Sequence, residues 1–155
     1  MFLIEVCQAL NKAKINYAVV GGYAVALHGA VRGTLDLDLV LSLNKQSFLL
    51  AEKVFFGLGL QPRLPVTAEQ VFQFRDEYIK NRNLVAWSFF DPIHLAKQLD
   101  VIITDDADKM NAQTIVVQGI RVKLASIKSL IEMKTRSGRP QDLEDIKALQ
   151  EIAKK

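Results

Sequence analysis

Two aspartates one residue apart, Asp36 and Asp38, sit in the alternating string LDLDLVLS. Period-2 geometry sends Leu35, Leu37, Leu39 and Leu41 to one face of a strand and both carboxylates to the other. Aspartate is depleted in strands, and like charges on one face repel. An edge strand with that face in solvent would tolerate the pair. The flanking leucines favour an interior strand instead, and with it a divalent cation held between the carboxylates; oxygen-only ligands on a rigid element suit Mg²⁺ or Mn²⁺. A third acid, Asp100, lies in LDVIIT, which reads as a strand buried on both faces, where an unpaired carboxylate is expensive. A nearby base such as Lys97 would offset it. In the other reading Asp100 joins the first two, giving three negative charges against one or two divalent cations, the arrangement used for in-line phosphoryl or nucleotidyl transfer.

A second chemistry-bearing feature precedes the aspartates. The run Tyr17 to Val20 is short, apolar and β-branched, ends at Gly21 and Gly22, and is followed by YAVALHGA, of helical composition. Strand, glycine turn and helix expose backbone N–H groups suited to phosphate oxygens. A glycine pair alone equally describes a tight turn with close helix packing. Its position, one helix and fourteen residues before Asp36, makes the combination more specific than either part.

The remaining elements must hold these groups in place. The spacing of Leu3, Cys7 and Leu10 predicts an amphipathic helix over residues 2 to 14, with Cys7 toward the core. Lys45 to Gly57 reads as a helix, residues 61 to 66 as a loop with two prolines, and Thr67 with Gln70 as a capping box opening a short helix. RDEYIKNRN, from Arg75 to Asn83, reads as a polar surface excursion. LVAWSFFDP and QLDVIIT are strands, and TIVVQGIRVKLA is a hairpin turning at Gln118 and Gly119. Two closing helices are expected, Ser126 to Ser137 and Pro140 to Lys154, split by Gly138 and with Pro at the first position of the second. The expected architecture is one domain over 1–155, α/β, with a mixed sheet core over 1–124 and a helical pair over 125–155.

In the closing helices, Lys134 continues the helical series of Ile127, Leu130 and Ile131, so its stem leaves a buried face. It either contacts a phosphate or pairs with Asp142 or Asp145. Asp142, in the first turn after Pro140, is favoured there by the helix dipole and is placed to orient Lys134 or Arg139. Asp105, Asp106 and Asp108 read as a solvated acidic loop, Arg121 and Lys123 as the outward face of a hairpin strand, and His28 as a structural residue.

With 155 residues, half of them hydrophobic, the chain can bury a core without disulfides or a structural metal. Its single cysteine cannot form an internal disulfide, which suits a reducing, cytoplasmic setting. Twenty basic against 17 acidic residues give a net charge of +3, which permits contact with a polyanion but excludes histone-like coating of nucleic acid. Residues 1 to 10 lack the preceding basic region of a signal peptide, and the uncharged run 15 to 31 is too short and too polar to span a membrane.

The strings GGYAVALHGAVRGTLDLDLVL, LDVII and MKTRSGRPQDLEDI together resemble the minimal nucleotidyltransferases of the DNA polymerase beta superfamily. Within it they look most like the branch of AbiEii-like toxins of type IV toxin–antitoxin systems. The resemblance implies the nucleotidyltransferase fold, with Gly21 and Gly22 at the triphosphate; Gly22 stands where many relatives carry Ser and offers backbone only. It implies that Asp36, Asp38 and Asp100 ligate Mg²⁺ or Mn²⁺, with Asp100 also the general base, and that Arg32 and Thr34 steady the phosphates or the turn. Lys134, Arg139 and Asp142 match the family's late nucleotide-contacting segment. The implied reaction moves a nucleoside monophosphate from a nucleoside triphosphate to a hydroxyl of RNA, especially the tRNA acceptor end, or of a partner protein such as an antitoxin. The rival readings are an inactive nucleotide-binding module and a small-molecule (antibiotic) nucleotidyltransferase.

Overall fold

The structure is a computed structural model describing residues 1–31, 33 and 36–155; Arg32, Thr34 and Leu35 lie outside the described residues. Its centre is a seven-stranded mixed sheet in the order β3-β4-β5-β2-β1-β7-β6. The strands are β1 (Tyr17–Val20), β2 (Asp36–Leu41), β3 (Gln61–Pro62), β4 (Ala86–Phe90), β5 (Gln98–Ile102), β6 (Gln113–Val117) and β7 (Ile120–Leu124). β2 lies between β1, antiparallel to it, and β5, parallel to it, so the aspartate strand is interior, as its leucines require. The helices are α1 (Phe2–Lys12), α2 (Gly21–Leu27), α3 (Lys45–Gly57), α4 (Ala68–Gln73), α5 (Arg75–Asn81), α6 (Ile127–Ser137) and α7 (Pro140–Ala153).

Register separates the two faces of the sheet. Leu37 and Leu39 pair with Leu99 and Val101, which pair in turn with Phe89 and Trp87, and all six are buried. α3 closes this apolar face through Phe48, stacked on Trp87 at 5.8 Å between ring centroids, and Phe55, edge-on to Phe89 at 4.9 Å. The other face carries Asp36 and Asp38 on β2, Gln98 and Asp100 on β5, and Ser88 and Phe90 on β4, each only partly buried. This corrects the expectation that the Asp100 strand is buried on both sides. Its burial alternates, so Asp100 points into an open face rather than into the core.

Local signals set most boundaries. Asn44 caps α3 through Ser47 N–H, Thr67 and Gln70 form the reciprocal capping box of α4, and Ser126 caps α6 through Ser129 N–H. α6 ends at Gly138 in the left-handed region with φ +63°, which releases the chain into Pro140 at the start of α7. Gln118 and Gly119, with φ +51° and +79°, make the two-residue turn between β6 and β7.

One expectation about a loop fails, and the surface excursion from Arg75 takes helical form. Residues 61 to 66 are not wholly loop, because Gln61 and Pro62 pair with Phe90 and Phe89 as a two-residue edge strand. The polar run from Arg75 is helix α5, which buries none of its side chains fully and therefore shows no apolar period. Among the described residues no helix is long and apolar enough to cross a membrane. Cys7 is buried, and burial pushes its thiol up to about 11 despite a hydrogen bond with Tyr17.

Candidate active site

The strand register brings the three predicted acids together. Asp38 stands directly across from Asp100 in the parallel β2–β5 pair, and Asp36 is one pleat away on the same face. The Asp38 and Asp100 side chains come within hydrogen-bonding reach of one another, a contact that adds to what raises the Asp38 carboxyl. Burial, then the charges of Asp100 and Asp36, push the Asp38 carboxyl up to about 7. Asp36 is raised as well, by burial and by Asp100, against the pull of Arg63. Among the described residues no three such side chains already stand as a metal cage. The donor set nevertheless fits a hard divalent cation: the acids are oxygen-only, lie on two adjacent strands, and are crowded enough to retain a proton that a cation would displace.

Gly21 explains itself against Asp38. A Cβ at Gly21 would lie 2.0 Å from Asp38 Oδ2, and the residue has φ +68°. Only glycine lets β1 turn into α2 while its backbone touches the acid strand. The glycine pair is thus the first turn of α2 itself rather than a separate loop, with Gly22 buried. At the other end of α2, His28 hydrogen-bonds through Nε2 to the Ala125 carbonyl oxygen at 2.8 Å, tying the helix to the start of α6.

The closing helices deliver charge to the same place. Lys134 is buried, with its Nζ 2.8 Å from Asp145 Oδ2 and 3.5 Å from Asp142 Oδ1. Its positive charge reaches Asp38 and partly offsets the repulsion there. Arg139 donates to Asp142 from Nε at 2.9 Å, from Nη2 at 3.3 Å and from its backbone N–H at 3.1 Å. Burial works to raise Asp142, but these bonds and the cations hold its carboxyl below the usual range. The Arg139 charge also acts toward Asp38. Lys134 therefore makes the carboxylate pairs foreseen as one option while standing electrostatically over the acid cluster. Arg32 and Thr34, expected at the phosphates, fall outside the described residues.

Other expectations change. Lys97 does not offset Asp100; it pairs with Glu5 at 3.2 Å. The Asp105 to Asp108 cluster is not a solvated loop. Asp105 pairs with Arg136, Asp106 accepts from Leu43 N–H, and Asp108 accepts from Asn16 and Ser42. Asp105, Asp106 and Arg136, with Arg75, Thr104 and Glu132, border a cavity of about 390 Å³ beyond the C-terminal ends of β2 and β5. Lys123 is not free on the hairpin face, since its Nζ donates to Asn16 Oδ1 at 2.9 Å. Asp145, one of the two partners foreseen for Lys134, holds it. Sequence reasoning missed one charged residue here: Arg63, just past β3, sends its charge to Asp36 and lies 5.3 Å from the Phe90 ring centroid. The only cue for Arg63 was a cation fixed between two prolines.

A glycine-tethered pair of strand aspartates, a third acid on the neighbouring strand and a buried lysine behind them define a cleft of one chemical type. Over residues 2–155 the chain matches the family described as nucleotidyl transferases of unknown function (DUF2204). It belongs to that family. No curated protein matches it significantly. Solved nucleotidyltransferase structures share its fold at low identity. An antigenic nucleotidyltransferase-like protein from Paracoccidioides brasiliensis is 20% identical with a TM-score of 0.61, covering 95% of this chain and 73% of its own. The lincosamide antibiotic adenylyltransferase LnuA, with lincomycin bound, is 14% identical with a TM-score of 0.63, covering 97% and 96%. The antibiotic-resistance factor ANT(2'')-Ia is 12% identical with a TM-score of 0.64, covering 96% and 80%. This nucleotidyl transferase thus carries the α/β fold expected from its sequence, and a nucleotide substrate follows from its family.

Proposed function

We propose that the protein transfers a nucleoside monophosphate from a nucleoside triphosphate to an acceptor hydroxyl, at the cluster of Asp36, Asp38 and Asp100. The convergence of these acids on one open sheet face beside Gly21 carries this reading. Asp36, Asp38 and Asp100 would hold Mg²⁺ or Mn²⁺, which when bound supplies charge neutralisation at the α-phosphate. Gly21 and Gly22 bring bare backbone up to the phosphates. Lys134, held by Asp142 and Asp145, and Arg139 add positive charge behind the acids without entering the chemistry. Asp100 accepts the proton of the acceptor hydroxyl; the acceptor oxygen then bonds to the α-phosphorus as the α–β bridging P–O bond breaks, and pyrophosphate leaves with the electron pair. Positioning and electrostatics supply most of the rate.

The acceptor has two supported readings. RNA, a tRNA end or a partner protein, within a toxin–antitoxin role, is supported by the sequence resemblance to the AbiEii-like branch. A small-molecule acceptor is supported by the shared fold of two antibiotic-modifying enzymes among the solved structures. The test is pyrophosphate release from each of the four nucleoside triphosphates with Mg²⁺ and either total RNA or a small-molecule cell extract as acceptor. Wild type is expected to release pyrophosphate and Asp100→Asn to lose at least a hundredfold in rate. Equal rates in both proteins would sink the assignment.

A further inference from the structure

The two edges of the sheet are built differently. β3 is two residues long, contains Pro62, which has no N–H to offer a neighbour, and runs straight into Arg63 and Pro65. Short length, charge and proline are the devices by which a strand edge avoids further pairing. β6, at the other end of the sheet order, has none of them. Its five residues, QTIVV, hold no charge and no proline, and Val116 is 70% exposed, with exposed Thr114 on the same side of the strand. Among the described residues β6 pairs with β7 alone. Val117 and Ile120 close the two-residue turn and exchange both backbone bonds. Alternation along the ladder then turns the N–H and C=O groups of Thr114 and Val116 away from β7, toward the open edge.

We propose that β6 is a dimerisation strand, which pairs antiparallel with β6 of a second copy of this chain about a twofold axis through Ile115 and joins the two sheets into one. In this register Thr114 of each copy lies opposite Val116 of the other, their outward N–H and C=O groups bond to one another, and the exposed valine is covered by the threonine methyl. The two Ile115 residues meet as a close, non-hydrogen-bonded pair. An axis through Thr114 or Val116 would carry the pairing off the start of the strand or into the turn at Gln118, and would lose bonded strand pairs. The cations of β7, Arg121 across from Val116 and Lys123 across from Thr114, do not oppose the contact. Three strand spacings, about 14 Å, separate them from those of the second copy, beyond the ~8 Å screening length at physiological salt. The blunted β3 cannot receive β6, which excludes head-to-tail growth and leaves the closed twofold pair. β6 lies beyond β1 and β7 from β2, so the pairing adds no strand beside Asp36, Asp38 or Asp100, and the dimer does not depend on the chemistry of those acids.

Sedimentation equilibrium of the full chain from about 10 µM to about 1 mM is expected to show a concentration-dependent dimer, because a contact between five-residue strands is smaller than a standard interface. Val116→Lys puts a charge on the exposed edge twice per dimer. It should raise the dimer dissociation constant about tenfold or more and leave the urea midpoint of the dilute monomer as in wild type. Hydrogen exchange at the Thr114 and Val116 amides should slow as protein concentration rises. Ile115→Cys, oxidised in a glutathione redox buffer, should form a disulfide-linked dimer, since the paired Cα atoms fall within disulfide reach. Cys7 is buried and stays out of the reaction, and Ile93→Cys, exposed between β4 and β5, measures chance collision. A monomer throughout the range would overturn the inference. So would a dimer unaffected by Val116→Lys, or cross-linking of Ile115→Cys no faster than that of Ile93→Cys. Species that keep growing beyond the dimer would overturn the closed twofold pair.

Discussion

Replacing Gly21 with alanine tests how closely fold and site share the same atoms. The residue has φ +68°, and a Cβ there would meet Asp38 Oδ2 at 2.0 Å, Cγ at 2.8 Å and Cβ at 2.9 Å. Left-handed backbone costs an alanine about 1–2 kcal/mol, and forced overpacking adds about 1–3 kcal/mol. A rotamer change at Asp38 cannot clear the clash, because its Cβ is itself too near, so β1 and β2 must separate. The expected loss is about 2–5 kcal/mol. Urea unfolding read by Trp87 fluorescence measures it, with Mg²⁺-dependent triphosphate binding followed in parallel. Asp38→Gly in the Gly21→Ala background should recover a large part of the lost stability while leaving triphosphate binding abolished. The control is Gly57→Ala: Gly57 closes α3 with nothing within 4 Å of an added Cβ, so this change should be neutral or stabilise by up to about 1 kcal/mol. If Gly21→Ala matched Gly57→Ala in stability, the close approach of the glycine to the acid strand would be wrong.

Asp38 sets a pH dependence. Its carboxyl titrates near 7 in the folded chain against an ordinary 3.8, so between these values the folded state holds more protons than the unfolded one, and stability falls as pH rises through that window. The fall is at most about 4 kcal/mol for the metal-free protein. Denaturant melts at stepped pH should show it, and both Mg²⁺ and Asp38→Asn should flatten it; a flat wild-type profile without metal would contradict the raised carboxyl of Asp38. Lys134→Ala leaves Asp142 and Asp145 buried without their lysine and should cost about 3–5 kcal/mol, whereas Lys134→Met with Asp145→Leu should restore much of the stability and none of the triphosphate affinity. Cys7, buried and with its thiol raised to about 11, should react with thiol reagents only at the rate of unfolding.

The elements that carry an uninterrupted period were legible in the sequence. The alternation in LDLDLVLS gave β2 and its two faces, the Thr67 and Gln70 capping box located α4, and Gly138 with Pro140 divided the last two helices. β3 was not legible, because two residues paired across space have no period of their own. α5 was missed because a helix that fully buries no residue lacks the stripe that announces one. LDVIIT looked buried on both faces because an apolar residue can line an open cleft as readily as a core, as Ile102 does. The same limit hid Arg63. Its meaning comes from β3 lying two strands from β5 in the sheet, which is a property of topology rather than of spacing.

The central claim is that the acids of β2 and β5 direct transfer of the α-phosphoryl group with its nucleoside. The most direct measurement compares label incorporated from α-³²P and γ-³²P nucleoside triphosphates into total RNA and a small-molecule extract, with Mg²⁺, for wild type and Asp38→Asn. The account predicts incorporation from the α label alone, lost in the variant although it folds at least as stably. Incorporation from the γ label, or α label undiminished in Asp38→Asn, would contradict it.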